Sequence, residues 1–121
     1  MTFRFSKLLV QEVFDKSGGR CWYCGIELMI ESRNQLTPQT YCIDHVMPIN
    51  KGGKHEMSNL VACCWTCNNL KRTYTIEEFR ALMTRLKNNM PRFSAEQTNF
   101  MNSHGIKLPE FTSHVFYFEE S

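Results

Sequence analysis

The stretch IDHVMPINKGGKHEMSNLVACCWTCNNLK, residues 43–71, decides the fold. It reads as strand, turn, strand, helix. Tyr41 to Val46 (YCIDHV) is rich in the β-branched and aromatic side chains that suit a strand, and Pro48 ends it. Asn50-Lys51-Gly52-Gly53-Lys54 is a turn-rich loop. Leu60 to Cys63 (LVAC) is a short apolar strand that can pair back with 41–46. The knuckle Cys64-Trp-Thr-Cys67 follows at once, and a short helix is expected over Asn68 to Arg72. Asp44 and His45 are adjacent, Asn59 comes 14 residues after His45, and Asn68 comes nine after Asn59. Lys71 lies one helical turn beyond Asn68.

Working outward, Cys21-Trp-Tyr-Cys24 is a second knuckle of the same kind. A CxxC turn aims two thiolates at one tetrahedral ion, so Cys21, Cys24, Cys64 and Cys67 predict a structural Zn²⁺. The 39 residues between the pairs exceed a short zinc-finger loop and are enough for an inserted hairpin that returns the second knuckle to the first. A redox role suits one CxxC alone, and no βαβ pattern surrounds either pair. Cys63 is an alternative ligand to Cys64, at a longer spacing from Cys67. Cys42 and Cys63 are expected as small buried side chains. The N-terminal MTFRFSKLLVQEVFDK carries charges through its apolar positions and does not read as a signal peptide, so a reducing, cytoplasmic location is expected. The apolar runs are too short for a membrane span.

The 121 residues predict a single α+β domain over 1–121, with a motif core at 20–72 and a mainly helical extension at 73–121. Phe5, Leu8, Leu9 and Val13 recur at helical spacing and predict a helix over 5–16, stopped by Ser17-Gly18-Gly19. Residues 25–40 read as a loop or ragged hairpin. Thr75-x-x-Glu78 is a capping-box signature opening a helix over 76–89, and Ser94-x-x-Gln97 opens another over 95–104. His114 to Glu119 reads as a short strand or an aromatic segment packed on the core. The net charge of +2 is uninformative, but it conceals a segregation. Residues 44–92 hold eight basic and four acidic side chains, whereas 93–121 hold one basic and four acidic. The middle of the chain is therefore the expected anion-facing part.

A carboxylate oxygen and an amide oxygen suit a hard divalent cation such as Mg²⁺. Imidazole suits removal of a proton from water near neutral pH. Phosphodiester hydrolysis needs such parts: an activated water, a metal and cations along the backbone. The ordered set Asp44-His45, Asn59 and Cys64-x-x-Cys67-Asn68-x-x-Lys71, preceded by Cys21-x-x-Cys24, resembles the HNH endonuclease family over about residues 20–72. The likeness is to its zinc-containing, McrA-like branch, with Asn68 where some members carry His.

The resemblance implies a ββα-metal fold, pinned by the two knuckles, that hydrolyses DNA to 5′-phosphate and 3′-hydroxyl ends. It implies His45 as general base and Asp44 and Asn68 as ligands of a single catalytic Mg²⁺ or Mn²⁺. Asn59 would brace the loop and orient His45. Lys71, Arg72, Lys51 and Lys54 are the expected phosphate contacts, with Arg80 and Arg85 as weaker candidates. Double-stranded DNA is the expected partner, a homodimer is possible in principle, and no membrane is involved. The alternatives are a zinc-dependent nucleic-acid-binding module without catalysis, or a nuclease acting on RNA or structured DNA. His55 is expected as a solvated loop histidine, His104 and His114 as structural or exposed. Trp22, Tyr23 and Trp65 are expected to pack around the zinc site, and the Ile76–Leu86 stripe to face the core or a dimer partner.

Overall fold

A computed structural model of the chain describes residues 5–30, 36–107 and 111–120. Helix α1 spans Lys7–Lys16. Ser6 caps it by accepting from the Leu9 backbone N–H, and its inner face delivers fully buried Val13 to the core. Ser17 closes the last turn, and Gly18 and Gly19 both take positive φ, which carries the chain sharply into the first knuckle. Isolated bridges join Arg20 to Glu27, antiparallel, and Met29 to Thr40, parallel, so the described part of 25–40 follows the loop reading and not the hairpin one; positions 31–35 lie outside the described residues.

Strands β1 (Tyr41–His45) and β2 (Leu60–Cys64) form a two-stranded antiparallel sheet. The register sets Tyr41 opposite Cys64, Ile43 opposite Ala62 and His45 opposite Leu60. All five residues of β2 are buried, because α1 covers one side of the hairpin and α2 packs on it as well. Helix α2 (Trp65–Lys71) starts three residues earlier than the sequence suggests. The second knuckle is itself the first helical turn: Cys64 is the N-cap, and its Sγ accepts from the Cys67 backbone N–H at 3.4 Å. The first knuckle repeats this bond from Cys24 N–H to Cys21 Sγ, also at 3.4 Å. This is the ββα arrangement expected from the sequence.

Helices α3 (Ile76–Lys87) and α4 (Ala95–Ser103) both open with the expected capping boxes, each side chain and its N-cap backbone bonding reciprocally. Each ends one or two residues before the sequence boundary, and Asn89 just past α3 adopts a left-handed conformation. On α3 the apolar stripe turns inward at fully buried Phe79, with Ile76, Leu82 and Met83 against the core and Leu86 exposed. Residues 114–119 form the aromatic segment rather than a strand. Their backbone N–H groups at Tyr117 and Phe118 donate to the carbonyls of Tyr23 and Trp22, and Tyr117–Glu119 close into a single 3₁₀ turn. Phe116 is fully buried against Tyr23 and Phe79, with ring centroids at 5.7 and 5.2 Å. Gly25 permits this docking, because a Cβ there would lie 2.6 Å from the Tyr117 ring and its φ is +81°.

Candidate metal centre and active site

The two knuckles meet. The four sulfur atoms of Cys21, Cys24, Cys64 and Cys67 lie within 4.8 Å of one another, and Cys24 Sγ is 3.8 Å from Cys64 Sγ. A tetrahedral ion with Zn–S bonds of about 2.3 Å spaces its sulfurs about 3.8 Å apart, so this donor set fits zinc. The neighbouring thiols, Cys24 first, press the Cys21 thiol well below its usual range, while Cys21 in turn pushes the Cys24 and Cys67 thiols up, so the four sulfurs act on one another as a single cluster. Cys63 does not join them. It is fully buried, and burial pushes its thiol well up. Cys42 is half-buried rather than enclosed, and burial raises its thiol too.

One residue ties this centre to the hairpin. Tyr23, inside the first knuckle and only 1% exposed, donates its hydroxyl to Asp44 Oδ2 at 2.5 Å. Burial, then the Asp44 charge, raises the Tyr23 hydroxyl far above its usual range, so it stays a proton donor. The Lys71 ammonium reaches the same Oδ2 at 2.8 Å and donates to the His45 carbonyl at 3.0 Å. Lys71 is 0% exposed. The expectation that it contacts phosphate therefore fails: its place on α2, four residues after Cys67, turns it inward, where it neutralises Asp44. The Oδ1 atom of Asp44 takes no part in these two contacts.

Asp44 and His45 both line an open depression of about 510 Å³, together with Pro48, Ile49, Asn50, Arg72 and Thr73. Burial, then the positive potential of His55, lowers the His45 imidazole below its ordinary value, which favours the neutral form. Asn68 lies on α2 one turn before Arg72, half-buried, and its side chain makes no hydrogen bond among the described residues. It is not among the residues lining the depression. Arg72 is exposed at the end of α2, with a positive φ of 50°.

Asn59 stitches the glycine loop. Its Oδ1 accepts from the Met47 N–H at 2.8 Å, and its Nδ2 donates to the carbonyls of Met47 and Lys54 at 2.9 and 3.0 Å. A Cβ on Gly53 would fall 1.8 Å from the Met47 carbonyl oxygen, so only glycine fits this stitched turn. All three Asn59 bonds go to the loop backbone, which makes it a brace rather than a group at the reacting atoms. Lys51 is exposed but already paired: its ammonium sits 2.7 Å from Glu78 Oε1, joining the loop to the start of α3. Lys54 is exposed. His55 was expected as a solvated loop side chain. It is exposed, and its Nδ1 also lies 2.8 Å from His45 Nε2.

Among the other candidates, Trp22 stacks on Phe118 while Trp65 is exposed instead of packed. His104 stacks on Phe100 at the end of α4, and His114 is half-buried beside Phe116. Arg80 is held by Glu77 and Glu119 and by the His114 carbonyl, not turned to a ligand.

The ββα hairpin and helix, the four-cysteine centre and the Asp-His depression all fall within residues 21–73. Residues 21–73 match the HNH endonuclease family model. Among solved structures, the chain is similar to the Type II-C Cas9 enzyme from Actinomyces naeslundii, at 21% identity and a TM-score of 0.47. The likeness covers 80% of this chain and 9% of that one. No curated protein matches the chain. Among the described residues, no helix is long and apolar enough to cross a membrane.

Proposed function

We propose that this chain is a metal-dependent endonuclease that hydrolyses phosphodiester bonds in double-stranded DNA, working as one domain with a structural zinc. The observation that carries the reading is the sharing of one open depression by the Asp44 carboxylate and the His45 imidazole, with Arg72 at its rim. Asp44, which lines the depression, would hold a divalent ion, Mg²⁺ or Mn²⁺ by its oxygen chemistry; Asn68, the second ligand that the resemblance implies, lies outside that lining and would have to turn its side-chain oxygen toward Asp44 to join it. When bound, that ion supplies charge neutralisation at the phosphate and the leaving 3′-oxygen. His45 takes a proton from water, the water oxygen bonds phosphorus and the phosphorus–O3′ bond breaks. The 3′-oxygen is protonated from solvent, leaving 5′-phosphate and 3′-hydroxyl ends. Lys71 and Tyr23 fix the Asp44 carboxylate by its Oδ2 edge. Arg72 and Lys54 are the side chains suited to flanking phosphates. The homodimer draws no support, since Phe79 of the α3 stripe is fully buried within this chain.

The test is plasmid nicking by zinc-loaded protein with Mg²⁺ or Mn²⁺ added. His45→Ala is expected to lower the rate by at least about a hundredfold through loss of the base. Salt-sensitive DNA binding with no cleavage under any divalent ion would overturn catalysis and leave a zinc-dependent binding module. Cleavage of RNA in preference to duplex DNA would overturn the substrate.

A further inference from the structure

We propose that His55 is a positioning residue that holds the His45 ring in one tautomer, with the proton on Nε2, so that Nδ1 is the nitrogen presented to water. The proposal rests on the reading of His45 as the base. Its ground is geometric. The two rings meet through His45 Nε2 and His55 Nδ1 at 2.8 Å, with centroids 5.1 Å apart and planes tilted by 47°. Two neutral imidazoles at that distance share one proton, so one nitrogen donates and the other accepts. If His55 donated, His45 would carry its own proton on Nδ1 and would have no ring nitrogen left to receive one. A base therefore requires the opposite sense, in which His45 Nε2–H donates to His55 Nδ1 and His55 keeps its proton on its own Nε2. When Nδ1 of His45 then takes the proton of water, the imidazolium becomes a stronger donor into His55, and the contact tightens as charge develops.

A surface loop would ordinarily be a poor mount for such a partner. This loop is fixed on three sides. Asn59 bonds it at Met47 and Lys54, Gly53 packs where no Cβ fits, and Lys51 ties it to Glu78 on α3. Phe5 stands against the His55 ring on the remaining side, with centroids at 5.3 Å. The Asn59 brace thereby acts on His45 through His55, without touching the imidazole.

The experiment compares wild type, His55→Ala and His55→Asn for plasmid-nicking kinetics, zinc content and melting temperature. Long-range ¹⁵N–¹H spectra report the His45 tautomer. His55→Ala is expected to lower kcat about ten- to a hundredfold, as loss of an orienting partner does elsewhere, while leaving KM and zinc content unchanged. His55→Asn should recover most of that loss, because its carboxamide oxygen lies near the place of Nδ1 and can accept the same bond. The wild-type spectrum should show His45 protonated on Nε2. Full kcat in His55→Ala, failure of the Asn variant to recover activity, or a His45 proton on Nδ1 would each overturn the proposal. If the wild type cleaves nothing, the nuclease reading falls while the spectrum still tests the contact. If cleavage depends on His45 and not on His55, only this inference falls.

Discussion

Replacing Lys71 with Met tests the central electrostatic claim, that an entirely buried ammonium compensates Asp44. The Asp44 side chain is 9% exposed and Lys71 is 0% exposed, so solvent can replace very little of what the substitution removes. Breaking a buried pair from one side leaves an uncompensated charge and costs about 3–5 kcal/mol. The His45 carbonyl also loses its donor, whereas Tyr23 continues to donate to Asp44 Oδ2. The surviving bond favours the lower end, about 3 kcal/mol. In a domain of this size each kcal/mol moves the melting temperature by roughly 4 °C, so the expected fall is about 12 °C. The assay is urea and thermal unfolding of zinc-loaded protein with zinc content measured in parallel. The double variant Asp44→Asn/Lys71→Met should be more stable than Lys71→Met alone by about 2 kcal/mol, since it removes the orphaned charge. A Lys71→Met protein within about 1 kcal/mol of wild type, or a double variant no more stable than the single, would refute the reasoning.

Zinc removal by a strong chelator should unfold the domain, because binding energy at a structural site is folding energy; retained near-UV dichroism after verified zinc loss would contradict it. Phe116→Ala empties a site enclosed by Tyr23, Phe79 and Phe118 and should cost about 3–5 kcal/mol in one cooperative transition. A separate melting step for the C-terminal segment would show instead that it is not one unit with the motif core. For acid stability, Arg80 first and the Phe116 backbone N–H next hold the Glu119 carboxyl down at about 2, against an ordinary 4.5. A depressed carboxylate stabilises above its unfolded value, so the contribution should be lost as pH falls from 4.5 towards 2. Glu119→Gln should flatten that limb of the stability curve, and an unchanged slope would count against the Arg80 pair.

The motif core is legible in the sequence because its signals are local. Strand pattern, glycine turn and CxxC spacing each act within a few residues, and together they leave one arrangement. The start of α2 is less legible, since Cys64 is at once the last strand residue, a member of the four-cysteine group that could hold a metal, and the helix cap, and no single pattern expresses all three. Lys71 reads as a surface cation because lysine ordinarily is one. The available signal is its spacing of four from Cys67, which puts both on the buried face of α2. The partnership of His55 with His45 leaves no trace in spacing, for it depends on how the stitched loop returns over the end of β1. The alternation of exposed Val115 and Tyr117 with buried Phe116 mimics a strand. The backbone bonds there go to the knuckle carbonyls of Trp22 and Tyr23, not to a partner strand.

Charge shows most clearly how sequence and space diverge. The basic middle and acidic tail are separate along the chain, yet the tail folds onto the middle. Arg80 Nη1 lies 2.6 Å from Glu119 Oε1 and donates to the His114 carbonyl at 2.8 Å. Lys51 is matched by Glu78 and Lys71 by Asp44. The surplus of positive charge in 44–92 is thus partly internal, serving to place the aromatic segment, the glycine loop and the Asp44 carboxylate. Arg72 and Lys54 have no acidic partner within 4 Å among the described residues, and Arg72 lies at the rim of the depression. Arg85 and Lys87 on α3 likewise have no such partner among the described residues, but of these cations only Arg72 lines the depression, so in the proposed reaction Arg72 rather than the buried Lys71 is the cation beside the reacting groups.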